Sequence, residues 1–284
     1  MTISNPMPPA LKIKPGERPR IMAVLNLTPD SFYGGSRVEG LDDALRRVEE
    51  FIEEGADFLD VGAESSRPGA LPVDAREETD RLVPVVEAVS SRFTIPISVD
   101  TCKAAVAECV LDAGAALIND ISGLRDSGMA ETVARFDAGL IVMHMQGTPT
   151  DMQDNPQYDD LFGEILRFLG EAVEKARTAG IRPEKIAVDP GIGFGKLPEH
   201  NLALIAGLAR FRELGQAVLL GASRKSFIGK VLDLPVDARL EGSLACALMG
   251  MLNGADIIRV HDVAPTLRAL EMGRSIMNSG SDNA

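Results

Sequence analysis

Short apolar runs alternate with longer segments of helical periodicity along nearly the whole chain. The clearest helix precedes Gly55, where Leu41, Ala44, Leu45, Val48, Phe51 and Ile52 recur at helical spacing with charged residues between them. Gly55, Gly114, Gly139, Gly180, Gly215 and Gly254 each close such a pattern and precede an apolar run. Glycine after a helix takes the left-handed conformation without a Cβ penalty, so these positions mark repeated helix-to-strand transitions. The apolar runs predict strands at 21–26, 58–62, 95–100, 116–120, 140–144, 186–189, 217–221 and 256–259. They are near-continuous, as strands buried on both faces of a parallel sheet are. Eight such strands, separated by helices of roughly 10–18 residues, match the closure number of a (β/α)8 TIM barrel; an open doubly wound sheet is the alternative.

Length and composition sharpen that picture. The 284 residues are long for an ordinary domain and normal for an α/β barrel. No linker rich in Pro, Gly or Ser divides them, so 1–284 reads as one domain, with 1–18 a loose lead-in and 278–284 a loose polar tail. Aromatic residues make up 4% of the chain and Trp is absent, so the core must be aliphatic. A net charge of -13 repels nucleic acid and anionic lipid and excludes both as partners. Cys102, Cys109 and Cys246 form no CxxC pair, which argues against a disulfide framework or a zinc site. The first twenty residues lack the apolar run of a signal peptide, and 244–252 is far too short to span a membrane. A cytoplasmic setting is expected.

In such a barrel the active site lies at the C-terminal ends of the strands. Those ends carry Asn26, Asp60 with Glu64, Asp100, Asn119 with Asp120, His144, Asp189, Ser223 with Lys225, and Arg259 with His261. Any one of these residues has an ordinary structural use, capping a helix or bonding a loop. Converging over an apolar interior, the whole set is costly unless something polar binds it. Asp100, Asn119, Asp189 and Lys225 offer acceptor, mixed and donor groups, which suits the edge of a flat, guanidine-like heterocycle. Two alternatives stand: Asp100 as the cap of the following helix, and Asp120 rather than Asn119 as the inward residue.

A second demand is anionic. Arg67 lies in a strand-end loop, and Arg259 and His261 alternate at the end of the last strand, an arrangement suited to phosphate or diphosphate. A salt bridge at the barrel mouth is the plain alternative for Arg259. Ser226 opens a helix and is placed to hold a carboxylate. The loop 189–196 is no Walker motif; its glycines let backbone approach a ligand, and Phe194 is placed to pack on an aromatic face. His144 reads as readily as a satisfied structural residue, and His200 as a solvated one. Asn26 offers one oxygen to a Mg²⁺ held mainly by a substrate diphosphate.

Together these segments resemble the dihydropteroate synthase family. They are Asn26-Leu-Thr-Pro-Asp-Ser-Phe32, Asp60-Val-Gly-Ala-Glu-Ser-Ser-Arg-Pro-Gly69, Ser98-Val-Asp-Thr101 with Lys103, Asn119-Asp-Ile121, Asp189-Pro-Gly-Ile-Gly-Phe-Gly-Lys196, Ser223-Arg-Lys-Ser226 and Arg259-Val-His261. The resemblance implies a transferase of folate biosynthesis that condenses 4-aminobenzoate with a dihydropterin diphosphate. It implies a pterin site of Asp100, Asn119, Met143, Asp189 and Lys225. Asn26, Arg67, Arg259 and His261 would hold the diphosphate, Asn26 also ligating Mg²⁺. Ser66, Arg67, Pro68, Phe194, Lys225 and Ser226 would surround the aminobenzoate, where sulfonamides compete in that family. Lys225, Asp100, Asp189, Arg259 and His261 would carry the catalysis, in a homodimer. The chain departs from the family's pattern at Gly34, where Asp is common, at Ala63, usually Gly, and at Ser66, usually Thr. Rival readings are a methyl-transferring pterin barrel, a Schiff-base aldolase using Lys225, and a pure binding protein.

Overall fold

The computed structural model describes residues 10–27, 37–62 and 73–281. Eight strands form a closed barrel in chain order: β1 (Arg20–Asn26), β2 (Phe58–Gly62), β3 (Ile97–Asp100), β4 (Leu117–Asp120), β5 (Gly139–Met143), β6 (Ile186–Asp189), β7 (Ala217–Leu220) and β8 (Ile257–Val260). Neighbours are parallel throughout, and β1 pairs with β8 to close the ring. The surrounding helices are α1 (Arg37–Glu53), α2 (Ala75–Arg92), α3 (Ala104–Asp112), α4 (Met129–Arg135), α5 (Leu161–Thr178), α6 (Pro198–Ala206), α7 (Ser226–Leu232), α8 (Leu240–Leu252) and α9 (Val263–Ser281). This is the TIM barrel expected from the apolar runs. Among the described residues, no helix is long and apolar enough to cross a membrane.

Two apolar layers hold the ring together. Residues such as Ile21, Leu59, Val61, Val99, Ile118, Val142 and Val188 face the helices and are buried against Val48, Leu82, Val110 and Leu169. The other face of the strands points inward, where Met22, Phe58, Leu117, Ile141, Ala187, Leu219 and Ile257 fill the lower barrel. Side chains two apart on a strand share a face. One step up from this plug, Phe58 is followed by Asp60, Leu117 by Asn119, Ala187 by Asp189 and Ile257 by Arg259. The barrel interior therefore changes from oily to ionic over a single layer.

The structure alters several expectations. Residues 10–18 are not loose: Leu11 is buried in the lower plug, and the Ile13 amide donates to Asp256 Oδ1 at 3.1 Å. Arg18 pairs with Asp57 at 2.7 Å. The reason is physical, because an open apolar barrel bottom must be covered, and Leu11 covers it. At the other end α9 continues to Ser281, so 278–281 is helical. β3 starts at Ile97 instead of residue 95, since Pro96 has no N–H for the ladder. Gly55, Gly114, Gly180, Gly215 and Gly254 take positive φ as helix stops should. Gly139 does not; it begins β5, and Asp137 takes the left-handed position before it at φ 51°.

Candidate active site

The ionic layer centres on Asp60. Its Oδ1 accepts a hydrogen bond from Ser98 Oγ at 2.7 Å, across the β2–β3 register that sets the two residues side by side. Its Oδ2 accepts from Asn119 Nδ2 at 3.2 Å and from Arg259 Nη1 at 3.4 Å. Arg259 also reaches Asp189 Oδ2 at 3.5 Å, and Asp189 Oδ1 accepts from the Gly191 amide at 2.7 Å. Gly221 makes room for this guanidinium: a Cβ there would lie 3.0 Å from Nη2. Asn119 Oδ1 is buried with no partner. A buried acceptor left unpaired costs about 1–3 kcal/mol, which a ligand N–H would recover.

Both open alternatives at this layer are decided. Asp100 caps no helix: α3 begins at Ala104, whose amide donates instead to Asp126 Oδ2 at 2.9 Å. Burial, and then the charge of Asp60, hold the Asp100 carboxyl well above the usual carboxylate range. Asp120 is the residue spent on its own loop, accepting from the amides of Ser122 and Leu124, each at 2.8 Å. Asn119 is the inward one.

Lys225 closes the layer from above. It precedes α7, donates to the Ile192 carbonyl, and sits 4.5 Å from the centre of the Phe194 ring. Burial, reinforced by the positive charge of Arg259, pushes its ammonium down to about 7 against the pull of Asp189 and Asp100. Phe194 is itself buried with Ile121, Met143, Met145 and Met152.

Gly191, in the loop 189–196, meets a neighbouring stretch of backbone. Gly191 has φ +72°, and a Cβ on it would lie 1.9 Å from the His144 carbonyl oxygen. This close approach is to the chain leaving β5. Lys196 ties the same two segments, donating to Phe194 O at 2.9 Å and reaching His144 Nδ1 at 3.0 Å. Burial brings the Lys196 ammonium to about 7 and the His144 imidazole to about 3, so His144 is a neutral structural residue. Gly191→Ala is expected to cost about 2 kcal/mol or more of folding free energy, read by denaturant unfolding. His200 is not simply solvated: its Nδ1 accepts from the Leu197 amide at 3.2 Å and its ring meets Tyr158 edge-on.

Arg259 and His261 do not share one partner set. Arg259 reaches two carboxylates of the barrel interior, and these rather than a rim acid form its salt bridges. His261 lies just past β8, with Nδ1 3.1 Å from Ser223 Oγ. Burial first, then Arg224, Arg259 and Lys225, hold its imidazole below the ordinary value. Arg224 is committed to Asp262 by two contacts of 2.7 Å. Asn26 stands exposed at the end of β1, and Ser226 is exposed at the start of α7. Ser66, Arg67, Pro68, Gly34 and Ala63 lie outside the described residues. Asp60, Ser98 and Lys196 had no assigned role in the sequence. The inward parity of Asp60 with Phe58 was the signal available for the first.

A model of pterin-binding enzymes matches residues 22–261. Dihydropteroate synthase of Escherichia coli K12 is 44% identical over 261 residues, covering 92% of this chain and 93% of that protein. A Yersinia pestis dihydropteroate synthase solved with a sulfonamide drug superposes with TM-score 0.87 and 44% identity, over 93% of this chain and 96% of that one. One from Xanthomonas albilineans, solved with 4-aminobenzoic acid, has TM-score 0.85 and 41% identity, over 92% and 94%. With its barrel, its ionic layer and these likenesses, the chain belongs to the dihydropteroate synthase family of pterin-binding enzymes.

Proposed function

We propose that the chain joins 4-aminobenzoate to (7,8-dihydropterin-6-yl)methyl diphosphate, giving 7,8-dihydropteroate and free diphosphate. One observation carries this reading: the unpaired buried acceptor of Asn119 stands in the same ionic layer as Asp189, Asp100 and Lys225. A pterin edge offers N–H donors beside acceptor atoms, which such a layer can match. The solved relative holding 4-aminobenzoic acid supports the second substrate.

The aryl amine is already a nucleophile and needs no strong base. The methylene carbon–oxygen bond breaks with its electron pair leaving on diphosphate, the amine nitrogen bonds the methylene, and the amine then sheds a proton. Asp189, joined by Asp100 once the developing charge favours its ionised form, stabilises the positive charge on the pterin methylene. Arg259, His261 and Arg67 receive the departing anion. Phe194, Lys225 and Ser226, with Ser66, Arg67 and Pro68, surround the aminobenzoate, and Met143 underlies the pterin.

The donor set fits Mg²⁺ carried in by the substrate. Among the described residues no cluster of three His, Cys, Asp or Glu forms a metal cage, and Asn26 contributes one neutral amide oxygen at the strand end. When bound, Mg²⁺ supplies charge for the leaving diphosphate.

A second copy is proposed to cover the exposed apolar side chains Met249 and Leu252 on α8 and Met272, Ile276 and Met277 on α9, giving a homodimer of the cytoplasm. These helices meet closely, since a Cβ on Gly273 would lie 2.6 Å from Met251 Cε.

A diphosphate-release assay tests the reaction. Release should require 4-aminobenzoate and fall about 100-fold or more when Mg²⁺ is chelated. Release that ignores the amine would indicate hydrolysis instead, and release unaffected by chelation would remove the metal.

A further inference from the structure

Asp60 is given no role by the family resemblance, yet it accepts three hydrogen bonds at the centre of the ionic layer while only 4% exposed. We infer that Asp60 is a positioning residue that locks the Asn119 side-chain amide with its oxygen toward the pterin, and so sets which edge of the heterocycle the site accepts. This rests on the pterin reading above and deepens it.

An asparagine amide can sit either way round, and its neighbours decide which. Here Nδ2 stands 3.2 Å from Asp60 Oδ2, a donor facing an anionic acceptor. Turning the amide over would set two acceptor oxygens at that distance and leave the N–H groups without the carboxylate, doubly costly for buried groups. Asp60 cannot swing away to relieve the conflict. Ser98 Oγ holds its other oxygen at 2.7 Å from the adjacent strand, and Arg259 Nη1 approaches Oδ2 at 3.4 Å. The consequence is visible at the other end of the amide, where Asn119 Oδ1 is buried with no partner. The site therefore presents a fixed, unsatisfied acceptor at β4. A ring with an amino or ring N–H there satisfies it. A ring with a lone pair there meets an oxygen that has no means of turning into a donor.

The experiment is calorimetric titration of 6-hydroxymethylpterin, which lacks the diphosphate, into the full-length chain and its variants, with thermal melting of each ligand-free protein alongside. Asp60→Asn is nearly isosteric and removes the anion that fixes the amide; affinity should fall by about 10- to 100-fold. In an Asn119→Ala background the same change should cost less than about 3-fold, because the group it positions is gone. The exchange Asp60→Asn with Asn119→Asp supplies the strongest readout. The new amide at 60 would donate to the new carboxylate at 119, which still shows the ligand an oxygen, so affinity should return to within about 10-fold of wild type. Ser98→Ala, which frees one Asp60 oxygen but keeps the charge, provides a milder variant should Asp60→Asn not fold. It should weaken binding a few-fold, and only when Asn119 is present. Equal affinity in wild type and Asp60→Asn, additive losses in the two backgrounds, or no recovery in the exchange would overturn the inference. Failure of the wild-type chain to bind the pterin at all would instead sink the functional reading.

Discussion

Arg259→Met is expected to lower kcat/KM by about 10³-fold or more and to destabilise the ligand-free barrel by about 3–5 kcal/mol. Both effects have one cause. The guanidinium lies between Asp60 and Asp189, at 3.4 and 3.5 Å, in a layer resting on apolar side chains. Methionine fills much the same volume but leaves two buried carboxylates without their cation. The charge that would receive the leaving diphosphate disappears with it. Denaturant unfolding of the ligand-free variant beside wild type reads the deficit. Wild-type stability in this variant would mean that the two contacts carry no weight.

Lys225→Met should behave in the opposite sense for stability while still crippling turnover. Burial holds the Lys225 ammonium near 7, against 10.5 for a free lysine. Between those values the unfolded chain carries a proton that the folded chain has released, so folding stability rises with pH across the window. Below about 7 the folded protein bears the full cost of a buried charge. Removing the amine should therefore stabilise the ligand-free protein by about 1–2 kcal/mol at neutral pH, the gain fading toward pH 10.5. Lys196, also brought to about 7, should retain its own share of the pH slope. Meanwhile kcat/KM should fall about 100-fold or more through loss of the donor above Asp189 and beside Phe194. Unfolding curves at two pH values together with steady-state kinetics check both halves. A destabilised Lys225→Met would show that the amine is a structural prop.

Much of this was legible in the chain itself. Glycine stops and unbroken apolar runs repeat with the period of a βα unit, so the barrel followed from local signals. The polar strand ends followed too, because the barrel fixes which end of each strand carries chemistry. The substrates did not follow from pattern; they came with the family motifs.

What stayed hidden depended on contacts distant in sequence. Leu11 is one apolar residue among Pro and Lys, with no periodicity to mark it as the barrel's floor. Nothing local to Gly191 announces the His144 carbonyl packed against it. Arg259 and His261 alternate as one strand face would, yet β8 ends between them and their partners diverge. The lowered ammonium of Lys225 would by itself have suited a Schiff-base nucleophile. The carboxylates and the Asn119 oxygen gathered in the same layer are what point to a hydrogen-bonding ring instead.

A crystal structure of the chain with its pterin diphosphate bound tests the central claim most directly. The ring should lie flat on the ionic layer, a ring or amino N–H on Asn119 Oδ1, its edge between Asp189 and Lys225, and the diphosphate directed toward Arg259 and His261. A pterin seated elsewhere, with Asn119 Oδ1 still unpaired and the layer undisturbed, would contradict it.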